Sequence, residues 1–168
     1  MSKKYSGHQW SLLAVSVVAG LIASPCINAA GMSFSGTLIS APKCTMTEKP
    51  LDIKFGLVDV SLVEYGKYQQ TVEYDPKCED SEYANQFTVS LTMRGGVSSF
   101  NGTYLATDHD NLAIKVWDGS KVLEVHRSFF VNDPKKFPVL KAMLMKRPNA
   151  SLSAGKFSAT ATLMIDVM

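Results

Sequence analysis

The chain has 168 residues, with 17 Lys and Arg against 15 Asp and Glu, a formal charge of +2, three cysteines and three histidines. Such a balance leaves no basic surplus to draw in nucleic acid or an anionic membrane surface, so neither is expected as a partner.

Lys3 and Lys4 precede an apolar run from Trp10 to Ala23 that only Ser11, Ser16 and Gly20 interrupt. The run is too short to span a bilayer and suits the core of a signal peptide. Small residues at Asn28-Ala29-Ala30 put cleavage after Ala29 or Ala30, which predicts residues 1–30 as a leader. An uncleaved anchor is the alternative, and Pro25 before Cys26 argues against lipid attachment at that cysteine. Removing the leader takes away Lys3, Lys4 and Cys26, so the charge falls to near zero and Cys44 and Cys78 remain. An even pair in an exported chain reads as a disulfide, with two free buried thiols as the alternative. Closing that loop would constrain the unfolded chain by about 3.8 kcal/mol on the loop-entropy model.

After the leader, Met32, Phe34, Gly36 and Leu38 alternate with Ser33, Ser35 and Thr37. This is a short strand-like element with one apolar face. Pro42 would interrupt a sheet ladder, which sets an extension over 31–43 apart from a domain over 44–168. An ordinary first strand of that domain is the alternative reading of the extension. Within the domain helical periodicity is scarce. Period-two patterns predict strands at Leu51–Leu57, Tyr68–Tyr74, Gln86–Arg94, Asn111–Trp117, Lys121–Arg127, Phe137–Met145 and Lys156–Met168. Gly95-Gly96, Asn101-Gly102, Asp118-Gly119, Asp133-Pro134 and Pro148-Asn149 supply the turns. The expected fold is a single all-β sandwich.

Chemistry-bearing patterns are sparse. Asp108-His109-Asp110 reads better as a polar turn than as a metal cluster, and His126 lies in a strand-like pattern. No nucleophile–base spacing, Gly-rich phosphate loop or C-x-x-C motif stands out. No catalytic residue, metal or cofactor is predicted. Trp117 reads as a packing residue, and the two Asn-x-Ser/Thr tripeptides, at Asn101 and Asn149, read as turns. Leu140, Ala142 and Leu144 are expected to face the core, opposite Met143 and Met145.

The final predicted strand is the most regular. Phe157, Ala159, Ala161, Leu163, Ile165 and Val167 alternate with Lys156, Ser158, Thr160, Thr162 and Asp166, and only Met164 breaks the polar face. The pattern runs to the last residue of the sequence. A long terminal edge left bare invites pairing with another chain, so a missing neighbour strand is expected from outside.

These pieces together resemble structural subunits of chaperone–usher fimbriae, pilins of the type 1 and P-pilus kind. The resemblance rests on Phe34-Ser35-Gly36-Thr37-Leu38, Pro42-Lys43-Cys44-Thr45, Ile53-Lys54-Phe55-Gly56, Cys78, Leu112-Ala113-Ile114-Lys115-Val116 and the terminal run from Gly155 to Ile165. It implies an immunoglobulin-like β-sandwich lacking its last strand and completed by a donor strand. It implies three partners: a periplasmic chaperone that lends a strand, an outer-membrane usher, and neighbouring subunits. Chaperone–pilin donor-strand complementation is a known form of β-augmentation. On this reading Met32, Phe34, Gly36 and Leu38 form the donor strand. Gly155, Phe157, Ala159, Ala161, Leu163, Ile165 and Val167 form the acceptor groove and chaperone-binding strand. Burying three donor side chains would contribute about 5–9 kcal/mol gross. The extension of about twelve residues reaches about 40 Å when extended.

Val167 departs from the family pattern, which usually carries an aromatic residue next to the C-terminus. The resemblance therefore points to a minor or adaptor subunit on the cell-surface fimbrium. A complete sugar-binding adhesin sandwich and a pilus-terminating subunit are the alternatives.

Overall fold

Alternating apolar residues, cut by turn-forming ones, build short antiparallel strands. The computed structural model describes residues 30–79 and 83–168; the predicted leader, Ala30 apart, lies outside the described residues. The chain divides after Thr37 into two units. In the described part of the first, residues 30–37, there is no regular secondary structure, and Met32 and Phe34 are exposed.

The second unit holds ten strands among the described residues: β1 (Cys44–Thr45), β2 (Gln69–Val72), β3 (Lys77–Cys78), β4 (Val89–Gly95), β5 (Val97–Ser98), β6 (Asn101–Ala106), β7 (Leu112–Trp117), β8 (Ser128–Val131), β9 (Leu140–Lys146) and β10 (Ala161–Val167). Two 3-10 turns, Val60–Tyr65 and Ala84–Gln86, complete the elements. One sheet has the order β2-β9-β7-β6-β5 and a second has β10-β4-β8. β1 and β3 form a small ladder of their own, locked by the Cys44–Cys78 disulfide. The fold is an immunoglobulin-like all-β sandwich.

The core lies where the inward residues of the two larger sheets meet. Leu91 on β4, Leu140 and Leu144 on β9, and Leu123 between β7 and β8 are fully enclosed. Leu140, Ala142 and Leu144 face inward as their alternation predicts. Met143 on the other face is buried too, because the turn over Val60–Tyr65 and the following Gly66 lie against it. Tyr74 is buried and donates its hydroxyl to the Pro138 carbonyl at 2.6 Å; burial pushes its phenol up to about 12.

Four predicted features differ from the observed ones. Leu51–Leu57 forms no ladder among the described residues. Gly56 takes φ 70°, a left-handed conformation open to glycine, and this breaks the alternation. Ile53, Phe55 and Val58 therefore pack on the core while Leu57 is 100 % exposed. Lys121–Arg127 makes only isolated bridges, because it crosses from one sheet to the other. Leu123 N–H donates to Val116 in the larger sheet, and His126 N–H donates to Met93 in the smaller. The terminal ladder begins at Ala161, not Lys156. Asn101 opens β6, not a turn, and its side chain accepts hydrogen bonds from the Thr103 amide and hydroxyl.

Truncating an enclosed core leucine should be costly. Leu144→Ala is expected to destabilise the domain by about 2–5 kcal/mol, read from the shift in its urea-unfolding midpoint.

Candidate functional site

The terminal strand β10 pairs with β4 in an unbroken antiparallel register. Leu163 stands opposite Met93, Ile165 opposite Leu91 and Val167 opposite Val89. Mutual hydrogen bonds between Thr88 and Met168 carry the ladder one residue further. On its other side β10 pairs with no strand among the described residues. The consequence is visible in burial. Val89, Leu91 and Met93 in the middle of the sheet are 1, 0 and 4 % exposed, whereas Leu163, Ile165 and Val167 are only half-buried. The inward triads of the two strands, Val89-Leu91-Met93 and Leu163-Ile165-Val167, are alike in being apolar, so what separates them is the missing neighbour.

Upstream of the ladder, Phe157 and Ala159 are also half-buried against the core, while Ala161 is exposed. The other wall of the depression is the ladder-free segment before the first 3-10 turn. Phe55 from that segment meets Phe157, with ring centroids 6.0 Å apart and planes tilted by 48°. Gly95 permits the close passage at the start of the ladder. A Cβ there would lie 2.5 Å from Leu105 Cδ1 and 3.0 Å from the Thr160 carbonyl oxygen.

Beside Gly155 the depression deepens into a cavity of about 90 Å³ walled by Val58, Val63, Leu112, Leu152 and Phe157. The His109 ring closes one side, 3.6 Å from where a Gly155 Cβ would be. His109 Nδ1 lies 2.9 Å from the Asp110 carbonyl, which can only accept, so Nδ1 carries the proton. Nε2 lies 3.3 Å from the Ser153 hydroxyl. The Val60–Tyr65 turn that supplies part of the wall is capped by Asp59, whose carboxylate accepts from the Ser61 hydroxyl at 2.7 Å and the Ser61 amide at 2.9 Å. Those bonds hold the Asp59 carboxyl below its usual value.

A polar clamp fixes the start of the terminal segment. The Ser158 amide donates to Asp108 Oδ1 at 2.6 Å and the Ser158 hydroxyl to Oδ2 at 2.7 Å; the Asp108 amide donates back to the Ser158 carbonyl at 3.0 Å. Asp108 follows β6, so the clamp joins the smaller sheet's last strand to the larger sheet. The Ser158 amide and hydroxyl hold the Asp108 carboxyl below the ordinary range. Sequence reasoning took Asp108-His109-Asp110 for a bare polar turn and missed this role. The serine in the polar row of the terminal run was the available signal, but its partner lies fifty residues away.

Of the predicted donor residues, Met32, Phe34 and Leu38 are exposed, and residues 30–43 have no regular secondary structure. Trp117 ends β7 half-buried, with the Lys115 ammonium 4.6 Å from its ring centroid. Its indole nitrogen is buried without a partner.

The family model described as "Fimbrial protein" matches residues 32–168. The chain belongs to the fimbrial protein family. Two relatives from Escherichia coli (strain K12) align with this fimbrial protein. The uncharacterized fimbrial-like protein YfcQ is 29 % identical over 140 residues, which is 80 % of this chain and 85 % of the relative. The uncharacterized fimbrial-like protein YfcR is 30 % identical over 129 residues, or 74 % and 73 % of the two chains. Among solved structures, the P pilus rod subunit PapA superposes with a TM-score of 0.59 at 20 % identity, covering 74 % of this chain and 99 % of PapA. A subunit in the structure of a chaperone–usher pilus gives 0.57 at 20 % identity, covering 84 % and 97 %. At that identity the two superpositions speak to the shared fold.

The clamp predicts acid sensitivity at this position. A carboxyl whose folded pKa is depressed contributes stability above its unfolded value and loses it as the pH falls through the folded one. Asp108→Asn removes that contribution. Its melting temperature should therefore fall less steeply than the parent's on acidification below about pH 4. Thermal melts from pH 6 to pH 2 check this; parallel curves would remove Asp108 from the acid limb.

Proposed function

We propose that this fimbrial protein is a structural subunit of a chaperone–usher fimbria, joined head-to-tail by donor-strand exchange. One observation carries the reading: the long outer edge of β10 has no partner among the described residues, and its inward side chains are half-buried over an apolar core. A strand laid along that edge would satisfy the backbone groups and cover Phe157, Ala159, Leu163, Ile165 and Val167.

In the proposed pathway residues 1–30 are removed on export. A periplasmic chaperone covers the edge of β10 during folding. At an outer-membrane usher, the extension 31–43 of a neighbouring subunit takes the chaperone's place. The extension of each subunit supplies Met32, Phe34, Gly36 and Leu38 as the donor face. Donor and acceptor are different surfaces of one chain, so the contact is heterologous and propagates into a filament on the cell surface. The open cavity beside Gly155 favours a subunit that accepts a successor over one that ends the filament. Val167, in place of the aromatic residue usual in the family, supports a minor or adaptor position.

Produced alone in a periplasm, the chain is expected to aggregate or be degraded; with its chaperone it should be recovered as a one-to-one complex. A stable monomer obtained without any helper would refute the incomplete-fold reading. Phe34→Asp should abolish subunit–subunit pairing and leave chaperone binding intact, as followed by co-purification. Undiminished pairing would remove 31–43 as the donor.

A further inference from the structure

A second depression lies at the β8 side of the smaller sheet, between the turn that follows β7 and the connection from β8 to β9. We propose that it binds one neutral sugar residue, the exposed end of a glycan. The proposal stands apart from the donor-strand reading, because β4 separates β8 from the open edge of β10.

Strand β8 supplies an aromatic face. Phe129 stands opposite Leu91 and packs on the core, so the strand period of two turns Phe130 to the outer face, where it is 58 % exposed. One exposed aromatic residue is ordinary. What sets this one apart is the polar groups gathered around it: Asp118, Lys121, Asn132, Asp133 and Lys136 line the same depression. One carboxylate oxygen stiffens each flanking turn. Asp118 Oδ1 accepts from the Ser120 amide at 2.8 Å and the Lys121 amide at 2.6 Å, and Asp133 Oδ1 accepts from the Lys135 amide at 2.9 Å. The second oxygen of each carboxylate accepts from no described residue. The side chains of Lys121, Asn132 and Lys136 likewise bond to no described residue. The frame is therefore fixed while donors and acceptors are left over.

Charge and size narrow the ligand. Two aspartates face two lysines, so an ion of either sign gains from one pair about what it loses to the other. A neutral ring bearing hydroxyls uses both pairs. Each hydroxyl donates to a carboxylate or accepts from an ammonium, and the Asn132 amide does either. The C–H face of such a ring lies on Phe130. The depression holds about 280 Å³. An apolar cavity of about 150 Å³ takes up a bare benzene ring, and drug-sized ligands occupy about 300–1,000 Å³. The space suits one six-membered ring with its substituents. Lys121, Phe130, Asn132, Asp133 and Lys136 are all exposed, so the rest of a glycan can run out into solvent. Chains joined as proposed above would carry one such site per subunit, and avidity along a filament would multiply a weak single contact.

The test uses the full chain purified with its co-produced periplasmic chaperone, on an array of immobilised glycans with the chaperone alone as blank. A chain that proves stable alone is tested alone. The arms are mammalian-type glycans ending in neutral hexoses or N-acetylhexosamines, the same glycans capped with sialic acid or sulfate, and neutral oligosaccharides from bacterial surface polysaccharide. Neutral ends should be retained, with an affinity that changes less than about twofold between low and high salt. Phe130→Ala and Asn132→Ala, both at exposed positions, should each weaken retention about tenfold. Gln70→Ala, on β2 in the other sheet, should leave it unchanged. Retention on the neutral mammalian-type arm supports the proposal with a host surface as the source, and retention on the bacterial arm supports it with a neighbouring cell as the source. Retention of charged glycans only, or a steep loss with salt, overturns the neutral-sugar assignment. Retention untouched by both variants overturns the site. No retention on any arm overturns the proposal and leaves donor-strand exchange, which chaperone dependence and subunit pairing decide, where it stood.

Discussion

Backbone N–H and C=O groups at a strand edge need partners, and the side chains behind that edge need cover. β10 meets both needs on one side only. Its ladder with β4 is continuous from Ala161 to Val167, and the fully enclosed residues of β4 show what a strand with neighbours on both sides achieves. The opposite edge of the same sheet is β8, which is four residues long. Short edges are a common protection against unwanted pairing, and a seven-residue edge such as β10 lacks it.

The walls of the resulting depression are held by different means. β10 is fixed by main-chain hydrogen bonds to β4 and, upstream, by the clamp from Asp108 to Ser158. The facing segment has no ladder among the described residues and is held by the side chains of Ile53, Phe55 and Val58 on the core. A groove with one wall set by backbone and the other by packing can keep its register along β10 while its width follows what lies in it. Phe55 and Phe157 are where the walls touch, and Gly155 is where they part.

The terminal strand was legible in the sequence because it has one wet and one apolar face, so its alternation survives intact. The disulfide was legible because an even pair, Cys44 and Cys78, remains once the predicted leader is set aside. Other elements were hidden for physical reasons. Ser128–Val131 packs Phe129, Phe130 and Val131 into a strand too short for alternation to register, although three bulky β-formers in a row are themselves a signal. Leu51–Leu57 alternates on paper, but Gly56 turns the chain and Val58 takes the inward place that Leu57 would have had. Lys121–Arg127 looks like one strand because both of its partners are apolar, yet those partners belong to different sheets. The Asp108 clamp joins residues distant in the chain, and no local pattern announces it.

The cross-link at Cys44 has a mechanical consequence. It joins the residue directly after the proposed extension to Cys78, eleven residues before the start of β4. In chains linked as proposed, tension applied to the extension would reach Cys44 first and pass through sulfur to Cys78. From there it would run along the backbone into β4 and across the ladder to β10, where the next chain is attached. The 33 intervening residues are bypassed. A pulled filament would then load β4 and β10 in shear, with many hydrogen bonds resisting at once, while the bypassed part of the cavity wall, Val58 and Val63, carries no load.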